Sequence, residues 1–132
     1  MENAKILIVD DDLDLTKALR VILESEQYSV VVAADRTEGM EKIRNDKPNL
    51  VILDVMMSTW QDGFEMSREL KKDPQLKDIP ILILTAVKTR SGIDFKSTAG
   101  DPVWLPVDGY LDKPVEPEKL LTKVKTLLSE TA

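Results

Sequence analysis

The sequence predicts an α/β fold: a five-stranded parallel sheet, doubly wound, with helices on both faces. Three observations carry that prediction. Short apolar runs alternate with longer amphipathic stretches, strand then helix, along all 132 residues. The runs ILIV (6–9), LVIL (50–53) and ILIL (81–84) are continuously apolar, as strands covered on both faces must be. The two remaining strand candidates carry polar positions, which a strand at a sheet edge tolerates.

Each element has its own warrant. Residues 5–10 (KILIVD) form the first strand, ended by Asp10-Asp11-Asp12. Leu15, Ala18, Leu19, Ile22 and Leu23 recur at helical spacing, which carries a helix through Glu26. Residues 28–33 (YSVVVA) are the second strand, and 36–45 a helix with Met40 and Ile43 inward and Pro48 in the turn behind it. Residues 50–54 (LVILD) are the third strand, followed by a polar loop that reaches Asp62-Gly63. A helix over 64–72 stops at Pro74; 79–85 (IPILILT) is the fourth strand, and a weaker helix runs from 87 to about 98. Residues 109–112 make a short fifth strand, and 116–129 a last helix with Leu120, Leu121, Val124, Leu127 and Leu128 on one face. With strands one, three and four central, the order is 2-1-3-4-5, flavodoxin-like, in which ligands bind at the carboxyl ends of the strands where the order reverses. That point lies where Asp10 and Asp11 meet Asp54. No repeat, linker or low-complexity tract interrupts the pattern, so residues 1–132 read as a single domain.

Composition narrows the chemistry. Apolar residues at 42% and charged residues at 32% describe an ordinary globular chain, not a disordered one. There is no cysteine and no histidine, which removes disulfides, thiolate nucleophiles, imidazole bases and zinc sites built on those ligands. A net charge of −6 argues against gripping DNA or an anionic membrane directly. The apolar runs are too short to span a bilayer, and residues 1–5 lack the apolar core of a signal peptide, so a cytoplasmic location is expected.

The strand ends hold the polar groups that remain. Strand one ends in Asp10 and Asp11, strand three in Asp54, strand four in Thr85 and strand five in Lys113. Carboxylates gathered in one crevice repel one another, and a divalent cation relieves that repulsion. Oxygen ligands without His or Cys favour Mg²⁺. A lysine and a hydroxyl opposite the acids complete a cradle for the oxygens of a phosphoryl group on a carboxylate. Simpler roles exist for each residue. An Asp run ahead of a helix caps it, and Asp12 or Asp14 suits that role. A strand-end aspartate such as Asp54 also opens turns. Thr85 also reads as a hydroxyl at the rim of the core, Lys113 as a solvated lysine, and Tyr110 as an edge-strand ring packed on the last helix.

Five segments in order carry a family resemblance: KILIVDD (5–11), PNLVILDVMM (48–57), DGFEM (62–66), IPILILTA (79–86) and GYLDKPV (109–115). Over essentially its whole length the chain resembles the receiver domain of bacterial two-component response regulators. The resemblance implies that Asp54 is the phosphoacceptor. It implies Mg²⁺ held by Asp10, Asp11, Asp54 and the backbone carbonyl of Met56, with Asp10 acting largely through water. Thr85 and Lys113 would bind phosphoryl oxygens, Tyr110 would be an aromatic switch, and a cis bond before Pro114 would aim Lys113 inward. The implied donor is a histidine kinase or phosphotransfer protein. The implied output is a protein partner, or a phosphorylation-dependent homodimer, on the surface of the fourth helix, fifth strand and last helix.

The chain departs from the family pattern twice. The stretch after Asp54 reads VMMSTWQ, one residue longer than usual, with Ser58 where proline is typical and Trp60 expected on a loop beside the metal site. The stretch from Thr85 to Lys113 is also long, and the excess falls in GDPVWLPVD (100–108), where Trp104 lies between prolines as either an interface anchor or a core filler. The expected function is therefore that of a signalling domain whose output is either a protein–protein contact or an output domain not included in these residues, with no enzymatic turnover expected beyond self-phosphorylation and autodephosphorylation. A haloacid-dehalogenase-like phosphatase shares an acid run after a strand but needs a further acidic motif. Flavodoxin itself would need a hydroxyl-rich phosphate loop where this chain has acids, and a pseudo-receiver that takes no phosphate would have no use for the intact acid set.

Overall fold

A computed structural model describes residues 4–54, 60–86, 108–113 and 115–130, with backbone alone at 54, 60–64, 85–86, 112–113 and 130. Its elements follow the predicted rhythm: β1 (Lys5–Val9), α1 (Leu13–Glu24), β2 (Ser29–Ala33), α2 (Arg36–Asp46), β3 (Leu50–Asp54), α3 (Trp60–Lys72), β4 (Ile81–Ala86), β5 (Gly109–Lys113) and the last helix, α4 (Pro117–Glu130). The strands pair in parallel in the order β2-β1-β3-β4-β5, so the three apolar runs are central and the two mixed ones are edges.

Alternation along the strands divides the core in two. Leu7, Val9, Val51, Leu53, Ile81 and Ile83 face α2 and α3, against Met40, Ile43, Met66 and Leu70. Ile6, Ile8, Leu50, Ile52, Leu82 and Leu84 face the other way, against Leu19 and Leu23 of α1 and Leu120, Val124 and Leu127 of α4. Each such side chain taken out of water stabilises the fold by about 1.5–3 kcal/mol, which is why continuous apolar runs end up in the centre. The α2 helix lies close on the sheet at Gly39, where an added Cβ would come within 3.1 Å of Val9 Cγ2 and 2.9 Å of Met66 Cε. A larger residue there would have to displace the Met66 methyl and press Val9 back by a few tenths of an ångström.

Helix ends differ from the periodicity-based boundaries for local reasons. Asp12, one of the two residues suited to the role, caps α1 by accepting from the amides of Asp14 and Leu15, each at 3.1 Å. The helix therefore starts at Leu13 and stops at Glu24, because Gln27 turns the chain with φ 68° and the Tyr28 amide bonds back to Leu23 O at 3.3 Å. β4 starts at Ile81 and not at residue 79, since the Ile79 amide is spent on Leu76 O and Pro80 has no amide to give. α3 begins at Trp60, so Trp60 opens a helix where a loop was expected. Asp62-Gly63 reads as a turn in sequence, but one helical glycine costs only about 1 kcal/mol against alanine, which packing of Met66 and Leu70 offsets. The fourth helix expected over 87–98, Met56, Trp104 and Pro114 lie outside the described residues.

Candidate functional site

Sheet register determines which strand ends meet. Val9 pairs with Leu53, so the next step along β1 and β3 sets Asp10 beside Asp54. Asp54 in turn pairs with Leu84, one residue before Thr85, while Thr85 pairs with Asp112 and Ala86 with Lys113. Neighbouring strands lie about 4.8 Å apart, so the backbone positions of Asp10, Asp54, Thr85 and Lys113 follow one another across about 14 Å of the sheet's carboxyl edge. Four residues spread over about a hundred positions in sequence thus share one rim, because four parallel strands end within two residues of one level.

The acid run divides its labour. Asp10 is fully buried, its amide donates to Ala33 O at 3.0 Å, and its Oδ1 accepts from the Asp12 amide at 2.9 Å. That Asx turn holds the carboxylate in one orientation. Asp11 is exposed at the bend that follows, and Asp12 belongs to the helix cap. A buried carboxylate is costly unless hydrogen bonds and positive charge surround it. The spacing that makes the Asx turn, an aspartate two residues before a free amide at a helix start, is legible in DDD, yet sequence reasoning did not extract it.

The donor set suits a hard cation. Its candidates are carboxylate oxygens, one of them buried and oriented, in a chain without His or Cys, and such a set fits Mg²⁺. Among the described residues no group of three ligand-type side chains is gathered closely enough to hold a metal, and the third acid, Asp54, is described by its backbone. Tyr110 sits on β5 opposite Ile83, is 38% exposed, and lines a groove with Lys119, Thr122 and Lys123 of α4. It is an exposed edge-strand ring next to the last helix, one residue short of the level of Asp54.

No described helix is long and apolar enough to cross a membrane. Comparison with known proteins returns one consistent answer. The response regulator receiver domain matches residues 6–125. The chain is 39% identical over 128 residues to response regulator MprA of Mycobacterium sp. (strain KMS), covering 97% of this chain and 52% of that protein. Similarity to MprA of Mycobacterium avium (strain 104) is 39% over 127 residues, with 96% and 52% covered. The chain thus spans about half the length of the curated relatives it matches. Among solved structures, a putative response regulator from Chloroflexus aurantiacus superposes with a TM-score of 0.84 at 31% identity, covering 97% of this chain and 99% of that one. Chemotaxis response regulator CheY4 of Vibrio cholerae superposes with a TM-score of 0.79 at 30% identity, covering 94% and 98%. The order of strands, the acid rim and these relatives converge: the chain belongs to the response regulator receiver domain family and is a signalling domain of the two-component type.

Proposed function

We propose that residues 1–132 act as one receiver unit, in which Asp54 accepts a phosphoryl group from the phosphohistidine of a kinase or phosphotransfer protein. A carboxylate oxygen of Asp54 attacks phosphorus, the P–N bond breaks as the new P–O bond forms, and the imidazole leaves with its electron pair. The observation that supports this best is the register: Asp10, Asp54, Thr85 and Lys113 lie at the carboxyl ends of four adjacent strands, within two residues of one level. Asp10, buried and held by the Asp12 amide, sets a second carboxyl group beside Asp54 and so provides an oxygen ligand for a cation there. Receiver domains generally work with Mg²⁺; in this chain Asp10, Asp11, Asp54 and the Met56 carbonyl would hold it, and it would supply charge neutralisation for phosphoryl transfer and for later hydrolysis. Lys113 and Thr85 would contact the phosphoryl oxygens, one by charge and the other by its hydroxyl.

The acyl phosphate carries about one more negative charge than the carboxylate it replaces and three strong acceptors, enough to draw Thr85 and the segment behind it inward. That movement would bias the surface made by β5, α4 and the segment between β4 and β5, with Tyr110 on it, toward a downstream protein or a second phosphorylated copy. A receiver fed by a kinase's phosphohistidine works in the cytoplasm, and the acidic chain would meet protein and not nucleic acid.

Intact-mass measurement after incubation with Mg²⁺ and a small phosphodonor tests the site and the chemistry together. One added phosphoryl group on the wild type and none on Asp54→Ala is the expected result. Phosphorylation that persists in Asp54→Ala, or that proceeds at full rate with the divalent cation chelated, overturns the reading.

A further inference from the structure

The outer edge of β2 is closed by two side chains that α2 supplies. β2 ends the sheet, with β1 on one side only. The Ser29 amide donates to Ala4 O, and Ala33 O accepts from the Asp10 amide, both at 3.0 Å, so residues 29, 31 and 33 direct their backbone groups to β1. By the two-residue period of a strand, Val30, Val32 and Ala34 direct theirs outward. An edge of this kind is a template for another strand. Its sequence SVVVA is uncharged and β-branched, which favours such pairing.

Two of the outward groups are already taken. Lys42 Nζ donates to Val32 O at 2.7 Å, and Glu38 Oε1 accepts from the Ala34 amide at 2.7 Å. The two side chains stand one helical turn apart on α2, with Lys42 Nζ 3.8 Å from Glu38 Oε2. In a parallel ladder, a single residue of an incoming strand would give its N–H to Val32 O and take the Ala34 N–H with its own carbonyl. The ammonium and the carboxylate stand in for those two groups. An antiparallel arrival about a twofold axis at Val31, with Val30 of each copy opposite Val32 of the other, meets the same obstruction, because it too requires the Val32 carbonyl.

We propose that the β2 edge is a strand-addition surface for the β2 edge of a second copy of this chain, and that the Glu38–Lys42 pair keeps it shut. A second copy is the fitting occupant because the edge is self-complementary. About a twofold axis, two SVVVA segments pair antiparallel, and each offers the same outward groups of Val30 and Val32 with no charge to repel the other. The pair thus separates this edge from the opposite side of the sheet, where β5 and α4 present Tyr110.

The test compares sedimentation of the wild type, Glu38→Ala/Lys42→Ala, and the same double variant carrying Val32→Pro, across a wide range of protein concentrations. Val32→Pro removes an outward amide without touching the ladder to β1, so it closes the edge again. The expected result is a monomeric wild type, a double variant that self-associates with rising concentration, and a return to monomer with proline added. Hydrogen exchange at the Ala34 amide should rise by about tenfold or more in Glu38→Ala. A folded double variant that stays monomeric although Ala34 exchanges freely overturns the proposal, and so does association that survives Val32→Pro. If the double variant does not fold, Lys42→Met, which keeps the aliphatic stem, takes its place with the same two outcomes. Glu38→Gln retains an acceptor oxygen and should stay monomeric; association equal to that of the double variant would mean that charge, not edge capping, is at work, and would overturn the proposal as well.

Discussion

The two ends of the sheet are built on opposite electrostatic plans. At the amino end, Lys71 and Asp108 neutralise each other and bind backbone groups that close the loops. Asp108 Oδ2 accepts from Lys71 Nζ at 2.9 Å and from the Ile81 amide at 2.8 Å, while Lys71 also reaches Ile79 O and Lys77 O. Asn49 mimics a strand residue against Lys5, accepting its amide with Oδ1 and donating to its carbonyl. At the carboxyl end, Asp10 and Asp11 follow β1, and the register sets Asp54 beside Asp10. The amino end spends its polar groups on closing loops. The carboxyl end sets strand-end carboxylates side by side, an arrangement that lowers stability until a cation meets it.

If the contrast is real, removing one carboxylate should have opposite consequences at the two ends. Asp108→Ala should give the largest change, a loss of about 2 kcal/mol, because it removes the carboxylate partner of a part-buried lysine and leaves the Ile81 amide without its acceptor. Urea unfolding measures it, and an unchanged midpoint would show that the amino-end hub contributes nothing. Asp54→Asn should move the other way in metal-free buffer, raising stability by about 1 kcal/mol through relief of like-charge repulsion with Asp10. A mutant clearly less stable than wild type without metal would count against a clustered acid rim.

Much of this contrast is visible in sequence, and the part that is not has a physical cause. Continuous runs such as ILIV and LVIL declare buried central strands, and polar interruptions in YSVVVA and GYLDK declare edges, because burial on two faces admits no polar side chain. Strand ends follow from those runs, so Asp10, Asp54, Thr85 and Lys113 could be brought to one rim before any coordinates. The amino-end hub could not. Lys71 and Asp108 lie 37 positions apart on opposite sides of the long segment before β5, and a surface lysine and a loop aspartate carry no periodic signal. The same holds for Glu38 and Lys42, which read as an ordinary i,i+4 pair on a solvated helix face. The start of α3 was misplaced because Asp62-Gly63 is good turn chemistry, and local preference yields to packing when the rest of the helix is amphipathic.

A smaller effect sharpens the view of the amino end as the end built for stability. Lys47 closes α2 with φ 46°, its amide bonded to Ile43 O at 2.9 Å. A non-glycine residue there is strained by about 1 kcal/mol or more, and glycine returns part of that gain through its freer unfolded chain. Lys47→Gly should therefore stabilise by about 0.5 kcal/mol. Thermal unfolding that shows a loss would mean the lysine side chain compensates for its own strain.

The smallest effect is a pH dependence, and its sign follows from burial. Tyr28 leads into β2 at the amino end, half-buried against the α1 side of the core. Burial pushes its phenol above the ordinary value of 10.0, and the neighbouring Glu26 carboxylate adds to the shift. The folded state therefore holds the phenolic proton more tightly than the unfolded chain does. Its contribution is fully present below the unfolded value and is lost as pH rises through the folded one, since only the unfolded chain gains from early ionisation. Tyr28→Phe has no such proton, so its stability should fall less steeply than that of the wild type above pH 10, with the two curves parallel near neutrality. Urea midpoints collected from neutral to strongly alkaline pH decide it. Curves that stay parallel throughout would mean the phenol ionises equally in both states, and the amino end would then hold no titrating group that folding opposes.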